Sequence, residues 1–166
     1  MSILISKFNR WRHSRGFGIH SPFAFRFVTD VLCQPLPYYS YSKLGKDKRL
    51  RLLFRLVVEF KPQKVYIISS QPEILEYTVS LAFPDVVFNS DKPDMLVIDA
   101  ADTPVERYKS LFANGAHALV INASGKEAVE IKKAVQRGMT FDNRKGSIVV
   151  AAHNHLPRQN FDVFFA

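Results

Sequence analysis

The chain has 166 residues, of which 47% are hydrophobic and 23% are charged, and its formal net charge is +8. This length and composition are typical of one globular domain and exclude a disordered or fibrous chain. The single cysteine, Cys33, excludes an internal disulfide framework and a paired-cysteine metal site, and it fits a reducing compartment.

The first residues, MSILISKFNRWRHSRGFG, lack the uninterrupted apolar stretch and the small-residue cleavage site of a signal peptide. No apolar run of the sequence approaches the ~20 residues that cross a bilayer. We therefore expect a cytoplasmic protein.

The positive charge is concentrated in the first part of the chain. Residues 1–60 hold eleven Lys and Arg against three Asp and Glu, which accounts for the whole net charge, whereas residues 61–166 hold twelve of each. Eleven aromatic residues also fall within residues 1–60. The sequence therefore divides into a basic, aromatic extension (1–60) and a neutral body (61–166).

Three helices are predicted in the extension. Residues 3–12 carry apolar side chains at the spacing of a short amphipathic helix. Ser21 followed by Pro22 predicts the start of a second helix, which runs through FAFRFVTDVLC and ends before Pro35. Residues 46–60 place apolar side chains on one face of a third helix.

The body alternates strands and helices. Apolar strands are predicted at 64–69, 86–89, 94–100 and 117–123, and helices at 72–83, 104–114 and 126–138, the last closed by Gly138. Three β segments without intervening helices follow, within 139–143, 146–153 and 160–165. Near-continuous apolar strands between helices indicate a parallel sheet covered on both faces, and the closing strands indicate an antiparallel hairpin at its edge.

A family resemblance lies in the motif GIHSPFAFRFVTDVL (18–32), the YYSY loop and the basic helix after it. These segments resemble the N-terminal extension of a group of bacterial class I S-adenosylmethionine-dependent methyltransferase-like proteins. KPQKVYIISSQPE resembles the first strand and cofactor loop of that family, PDMLVIDAAD its fourth strand, and HALVINASG its fifth. The resemblance implies an α/β fold with a Rossmann-like, mostly parallel methyltransferase sheet, an antiparallel C-terminal edge hairpin, and an N-terminal helical extension packed on the domain.

The chain departs from the family pattern at the cofactor half of the site. Such enzymes have glycines in the first loop, which permit close backbone approach to the cofactor, whereas this chain has Ser69, Ser70 and Gln71. One strand–helix unit is missing before KPDMLVIDA, which leaves Asp91 as the candidate for the acid that binds the ribose. The resemblance implies that these four residues bind S-adenosylmethionine if the site is functional.

Asp99 and His20 are the candidate catalytic residues. Asp99 ends an apolar strand, where ligands bind in open α/β sheets, and the alternative is a helix cap or a turn residue. His20 lies in the GIHSPF motif, and the alternative that it orders the turn before Ser21 is favoured. The family's metal-dependent members use an acid after the fourth strand and an Asp-Asn pair after the fifth, where this chain has Asn122, Ala123 and Ser124, so no metal site is predicted.

His153 and His155 resemble half of a metal site. Strand alternation places both on one face, but no third ligand is evident in the sequence. A surface position at a hairpin tip is the favoured interpretation.

Three functional hypotheses follow. The favoured one is a methyltransferase-fold protein with a degenerate S-adenosylmethionine site, no cofactor, and a non-catalytic binding or assembly role. The second is an active O- or N-methyltransferase with an atypical cofactor loop. The third is a basic module that binds nucleic acid or an anionic membrane surface, which is less favoured because the aromatic residues of the extension are expected to pack onto the sheet.

The partners expected under the favoured hypothesis are proteins. A shortened sheet exposes an edge, and a second copy of the chain is one way to cover such an edge. A homodimer is therefore a candidate assembly.

Overall fold

Seven strands form one sheet in the computed structural model, which describes residues 3–153 and 155–165, without the side chain of Ile3. The strands are β1 (Lys64–Ile68), β2 (Val87–Phe88), β3 (Met95–Asp99), β4 (His117–Ile121), β5 (Met139–Asp142), β6 (Ile148–Ala151) and β7 (Gln159–Asp162). Their order is β2-β1-β3-β4-β6-β5-β7, and every neighbouring pair is parallel except the two that involve β6. The predicted α/β class and mostly parallel sheet are confirmed.

The antiparallel hairpin is present, but it does not form the sheet edge. β5 and β6 pair antiparallel, and β6 lies inside the sheet beside β4. β7 lies outside the hairpin and runs parallel to β5. The parallel pairing follows from the course of β6, whose last residue Ala151 lies beside Met139 at the start of β5; the connection 152–158 crosses β5 at this end, so β7 also begins there.

The helices follow the predicted order with altered ends, and one further short helix lies in the segment for which the sequence predicts an aromatic loop. They are α1 (Ile3–Ser14), α2 (Pro22–Arg26) continued by a π-helical segment (Phe27–Leu32), α3 (Tyr41–Leu44), α4 (Lys48–Phe60), α5 (Pro72–Ala82) and α6 (Gly125–Ala134). The predicted helix at 104–114 is instead two 3₁₀ segments, Val105–Arg107 and Lys109–Asn114. Tyr108 separates them because its φ of −121° departs from helical geometry.

Helix α2 begins as predicted, whereas α6 does not end as predicted. Ser21 Oγ accepts a hydrogen bond of 3.3 Å from the backbone N–H of Ala24, and Pro22 occupies the first helical position. The predicted closure of α6 by Gly138 is wrong, since the helix ends at Ala134 and Val135 is already extended. Glycine is required at position 138 for another reason: its Cα lies so close to the backbone of Ala151 and His153 that a Cβ atom would collide with it.

Two hydrophobic cores cover the two faces of the sheet. The first joins the extension to the body, because Phe27 and Leu53 belong to the same buried cluster as Val65 and Phe141. The Phe27 ring lies 5.1 Å from the Phe141 ring, measured between centroids. The second core packs α6 and the two 3₁₀ segments on the opposite face. The extension and the body therefore share one hydrophobic core.

Helix α1 packs on the body through polar side chains. Ser14 Oγ accepts a hydrogen bond of 2.7 Å from the backbone N–H of Phe164, and His13 Nδ1 lies 3.3 Å from the carbonyl oxygen of Asp162. The aromatic residues Phe8 and Trp11 remain 57% and 44% exposed. The expectation that the aromatic residues pack the extension onto the sheet therefore holds for the helices after α1 and is wrong for α1 itself.

Within the described residues, the helices are too short or too polar to cross a bilayer.

Candidate functional site

The carboxyl ends of β1, β3 and β4 form one side of a crevice, and residues of α4 and α5 form the other. Ligands of open α/β sheets bind outside the carboxyl ends of the strands, which makes this crevice the first candidate site. Its volume is about 310 Å³, at the lower end of the range for small-molecule pockets. The lining residues are Asp47, Arg49, Leu50, Ser69, Gln71, Ile74, Leu75, Asp99 and Ile121.

Asp99 lies in the crevice with its carboxylate already engaged. Its Oδ1 accepts hydrogen bonds from Asn122 Nδ2 at 2.8 Å and from the backbone N–H of Ala101 at 3.1 Å. Asn122 directly follows β4 and has a left-handed φ of 59°, a conformation that asparagine adopts more readily than most residues. The structure thus brings together the ends of β3 and β4 as a carboxylate–amide pair.

Arg49 extends this pair across the crevice to α4. Its Nη1 donates a hydrogen bond of 2.9 Å to Asn122 Oδ1, and its Nη2 lies 3.3 Å from Asp47 Oδ2. Asp47 also caps α4, since its Oδ1 accepts from the backbone N–H of Arg49 at 2.8 Å. The side chains of Asp47, Arg49, Asn122 and Asp99 therefore form one continuous polar chain, which we call the crevice chain.

Hydrogen bonds stabilise the negative charge of Asp47, which lies at the α4 end of the crevice chain. Burial by itself raises the pKa of Asp47, but hydrogen bonds from the side chain and backbone of Arg49 outweigh it, so the pKa lies below its ordinary value. Asp47 therefore remains an anion at neutral pH and keeps Arg49 oriented toward Asn122.

The first loop forms its own turn. Ser69 Oγ accepts a hydrogen bond of 3.1 Å from the backbone N–H of Gln71. Ser70 Oγ donates to Asp102 Oδ2 at 2.7 Å, and the backbone N–H of Ser70 donates to the same oxygen at 3.3 Å. Ser69 and Gln71 line the crevice, whereas Ser70 is absent from its lining and is tied to the loop after β3. Two of the three predicted loop residues therefore lie at the crevice.

Asp91 is not brought to the crevice. It lines a separate cavity of about 310 Å³ together with Tyr66, Ile68 and Arg107. Ile68 packs against the second core, whereas its neighbour Ile67 belongs to the first core on the crevice side. The predicted ribose acid therefore lies over the opposite face of the sheet from Asp99, because successive strand residues point to opposite faces.

His20 is not brought to the crevice either. Its side chain is exposed, and it makes no hydrogen bond or ion pair within the described part of the chain. Phe23, three residues later, packs edge-on against the His153 ring at 4.2 Å between centroids. His153 follows the end of β6, and its ring lies 5.9 Å from the ring of His117 at the start of β4. This contact therefore lies at the amino ends of the parallel strands, opposite the crevice. The two candidate catalytic residues, His20 and Asp99, are therefore not brought together at one site.

His117 and His153, near that opposite end of the strands, are more buried than residues at the tip of a hairpin. His153 Nε2 is buried without a hydrogen-bond partner among the described residues, and the His117 ring stacks on Phe60 at 3.8 Å between centroids. His155, which is exposed, lies 5.6 Å from His153. Within residues 3–153 and 155–165, no group of three or more His, Cys, Asp or Glu has an arrangement that would hold a metal ion.

Sequence reasoning missed the two residues that complete the crevice chain. Asp47 and Arg49 lie within residues 46–60, whose pattern predicts a helix and nothing more. The available signal was Asp47 directly before a helix-forming run, which is a typical N-cap and so marks a side chain fixed at a helix end. The contact between Arg49 and Asn122, 73 residues apart, has no local signal.

No family model, curated protein or solved structure matches this chain. The function must therefore be argued from the chemistry of the crevice and of the surfaces around it.

Proposed function

We propose that this chain is a non-catalytic binding or assembly protein with a methyltransferase-type fold and a degenerate S-adenosylmethionine site. The crevice chain carries this proposal. Asp99 Oδ1 accepts hydrogen bonds from Asn122 and from the backbone N–H of Ala101, so one oxygen of this carboxylate is occupied by the protein's own donors. Arg49 joins the same chain from α4, so the protein's own side chains bridge the crevice.

The residues of the crevice do not fit S-adenosylmethionine. The side chains of Ser69 and Gln71 line the place where the family's glycines permit close backbone approach. Asp91, the candidate for the ribose hydroxyls, lines the cavity on the other face of the sheet. We therefore derive no methyl-transfer step for this chain.

Calorimetric titration with S-adenosylmethionine and S-adenosylhomocysteine tests this proposal. We expect no saturable heat at millimolar ligand from protein that circular dichroism shows to be folded. Micromolar binding that is lost in Asp99→Asn would contradict the proposal and favour the active methyltransferase. The matched control is Asp85→Asn, which removes the same charge from an exposed position outside the crevice.

A second function, docking on an anionic membrane surface, is favoured by the orientation of α1. Its inner contacts are polar, whereas Leu4, Phe8 and Trp11 are 76%, 57% and 44% exposed. The helix has three Lys and Arg residues and no acidic ones along its length, and Arg15 lies over the Trp11 ring at 4.5 Å from the centroid. Exposed apolar side chains beside cations are the composition of helices that lie in a membrane interface.

Trp11 is the one tryptophan of the sequence, so its fluorescence reports directly on this surface. We expect a blue shift and increased intensity with phosphatidylglycerol vesicles, and little change with phosphatidylcholine vesicles. Phe8→Glu should abolish the shift, whereas Tyr39→Glu, at an exposed aromatic residue elsewhere, should preserve it. An unchanged spectrum with anionic vesicles would contradict docking, and salt-sensitive quenching by polyuridylate would favour the nucleic-acid alternative.

A further inference from the structure

A second cavity lies on a different face of α4 from the crevice. Its volume is about 370 Å³, and it lies between the loop after the π-helical segment, the first half of α4, and the last described residues of the chain. It shares no lining residue with the crevice. Its walls include apolar side chains from Leu32, Pro35, Pro37 and Phe165.

The polar part of this cavity is cationic. Lys48, Arg51 and Arg55 lie three and four residues apart on α4, so they share one face of the helix and all line the cavity. None of the described residues that line it is acidic. Cys33 supplies no negative charge at neutral pH, since burial raises the pKa of its thiol to about 11.

Arg55 is a buried cation held by neutral groups. Arg55 is only 8% exposed, and its Nε donates a hydrogen bond of 2.7 Å to the Val31 carbonyl oxygen. Its Nη atoms donate to the Tyr41 hydroxyl and to the Leu32 carbonyl oxygen, each at 3.2 Å. Three of the five guanidinium donors are thus used, and no acceptor among them is charged.

Asp30 and Glu59 lie near Arg55 but beyond ion-pair distance. Asp30 and Glu59 line a small neighbouring cavity with it, but neither forms an ion pair with it within the described residues. Glu59 is instead paired with Arg26. A buried cation without a counter-ion is costly, and an anion bound in the cavity would remove that cost.

Arg51 also retains binding capacity. Its Nε is buried and has no hydrogen-bond partner among the described residues. Its guanidinium carbon lies 5.1 Å from the centroid of the Tyr41 ring, and Nη2 donates to the Gly45 carbonyl oxygen. Stacking on Tyr41 and the bond to Gly45 fix the guanidinium plane, which favours directional recognition of an oxyanion. Lys48 is exposed and has no hydrogen bond or ion pair within the described chain.

We propose that this cavity binds a small organic anion, in which a carboxylate or phosphate group meets Lys48, Arg51 and Arg55 while an apolar group contacts the proline and phenylalanine walls. Guanidinium groups pair with carboxylates and phosphates through parallel hydrogen bonds, and the volume suits a ligand of about the size of a substituted benzene ring or somewhat larger.

The test is calorimetric titration of the full chain at constant ionic strength with phenyl phosphate, benzoate and the neutral analogue benzyl alcohol. We expect saturable binding of at least one of the two anions and none of benzyl alcohol. Tighter binding of phenyl phosphate assigns the site to phosphate ligands, and tighter binding of benzoate assigns it to carboxylates. Both outcomes support the proposal.

Charge-matched variants locate the binding. Arg51→Met should weaken binding of the preferred anion by about tenfold or more, because it removes charge-assisted hydrogen bonds. Lys43→Met removes one cation from an exposed position outside the cavity and should leave the affinity unchanged. Arg51 is used in preference to the more buried Arg55, whose replacement endangers folding.

Three results would overturn the proposal. They are no binding of either anion at 10 mM by folded protein, equal binding of benzyl alcohol, or an unchanged affinity in Arg51→Met.

Discussion

Lys132 Nζ lies 2.7 Å from Asp142 Oδ2, and this pair anchors α6 to the closing strands of the sheet. The Asp142 side chain is 3% exposed. Lys132 also reaches Asp162 on β7 at 3.3 Å, and Arg144 contacts both carboxylates. Four charges from a helix, a turn and two strands thus form one network at the edge of the fold.

We expect Lys132→Met to lower the free energy of unfolding by about 2 kcal/mol, because it leaves the buried Asp142 carboxylate with Arg144 as its remaining cation. Lys133→Met is the matched control, since Lys133 is 69% exposed and pairs with Glu130 on the helix surface. Its loss should stay below about 0.5 kcal/mol. Urea unfolding measures both, and equal losses would show that the network is not what anchors α6.

The same network predicts a loss of stability in acid. Burial raises the pKa of Asp162, but the hydrogen bond from Arg144 and the charges of Lys132 and Arg144 outweigh it, so the pKa is lowered. A carboxyl group with a lowered folded-state pKa stabilises the fold above its unfolded pKa of about 3.9 and loses that contribution as the pH falls through the folded value. Asp162→Asn should therefore show a shallower decline of unfolding free energy below pH about 4 than the parent chain. An unchanged decline would assign the acid sensitivity to other carboxylates.

The sequence predicts well those elements whose pattern depends on residues adjacent in the chain. β3 is buried at four successive positions because both faces of the sheet are covered, so it appears in the sequence as a continuous apolar run. The start of α2 was equally clear, because Ser21 and Pro22 act locally. Such features are determined by residues adjacent in the chain, so they can be predicted without knowledge of the three-dimensional structure.

The elements that depend on distant contacts were not predictable. The amphipathic pattern of α1 is visible in the sequence, but which face meets the body is decided by the hydrogen bond between Ser14 and Phe164, 150 residues apart. Arg49 likewise joins the crevice chain through its hydrogen bond to Asn122, which is distant in sequence. The position of Asp91 over the opposite face depends on the short β2, whose two residues leave little pattern to interpret.

Gly138 is predicted to be intolerant of any side chain. Its φ is 92°, and a Cβ atom would lie 2.4 Å from the carbonyl oxygen of Ala151, which belongs to the backbone and cannot turn away. Gly138→Ala should therefore cost more than about 2 kcal/mol of unfolding free energy. Gly125→Ala, at the first position of α6 with open space around it, should be nearly neutral. Chemical unfolding of the two variants decides this, and a small effect at both positions would show that the backbone of residues 151–153, at the end of β6, moves to accommodate a methyl group.

His117 makes stability depend on pH between about 4 and 6.5. Its Nδ1 accepts a hydrogen bond of 3.1 Å from the backbone N–H of Ala152, a role that the protonated ring cannot fill. Burial, followed by the nearby charge of His153, lowers the pKa of His117 from 6.5 to about 4. In this window the unfolded chain binds a proton that the folded chain does not, so the free energy of unfolding falls as the pH falls from 6.5 toward 4 and is at its full value above 6.5.

We expect this fall in the free energy of unfolding to be on the order of 2 kcal/mol, a value reduced to allow for the partial exposure of His117. His117→Asn keeps an acceptor for the Ala152 N–H and removes the titrating group, so the slope of unfolding free energy against pH should become shallower. His20→Asn removes an exposed histidine without a described partner and should leave the slope unchanged. Denaturant unfolding at half-unit steps from pH 4 to pH 8 measures the slopes. Parallel curves for His117→Asn and the parent chain would show that His117 is protonated equally in the folded and unfolded states.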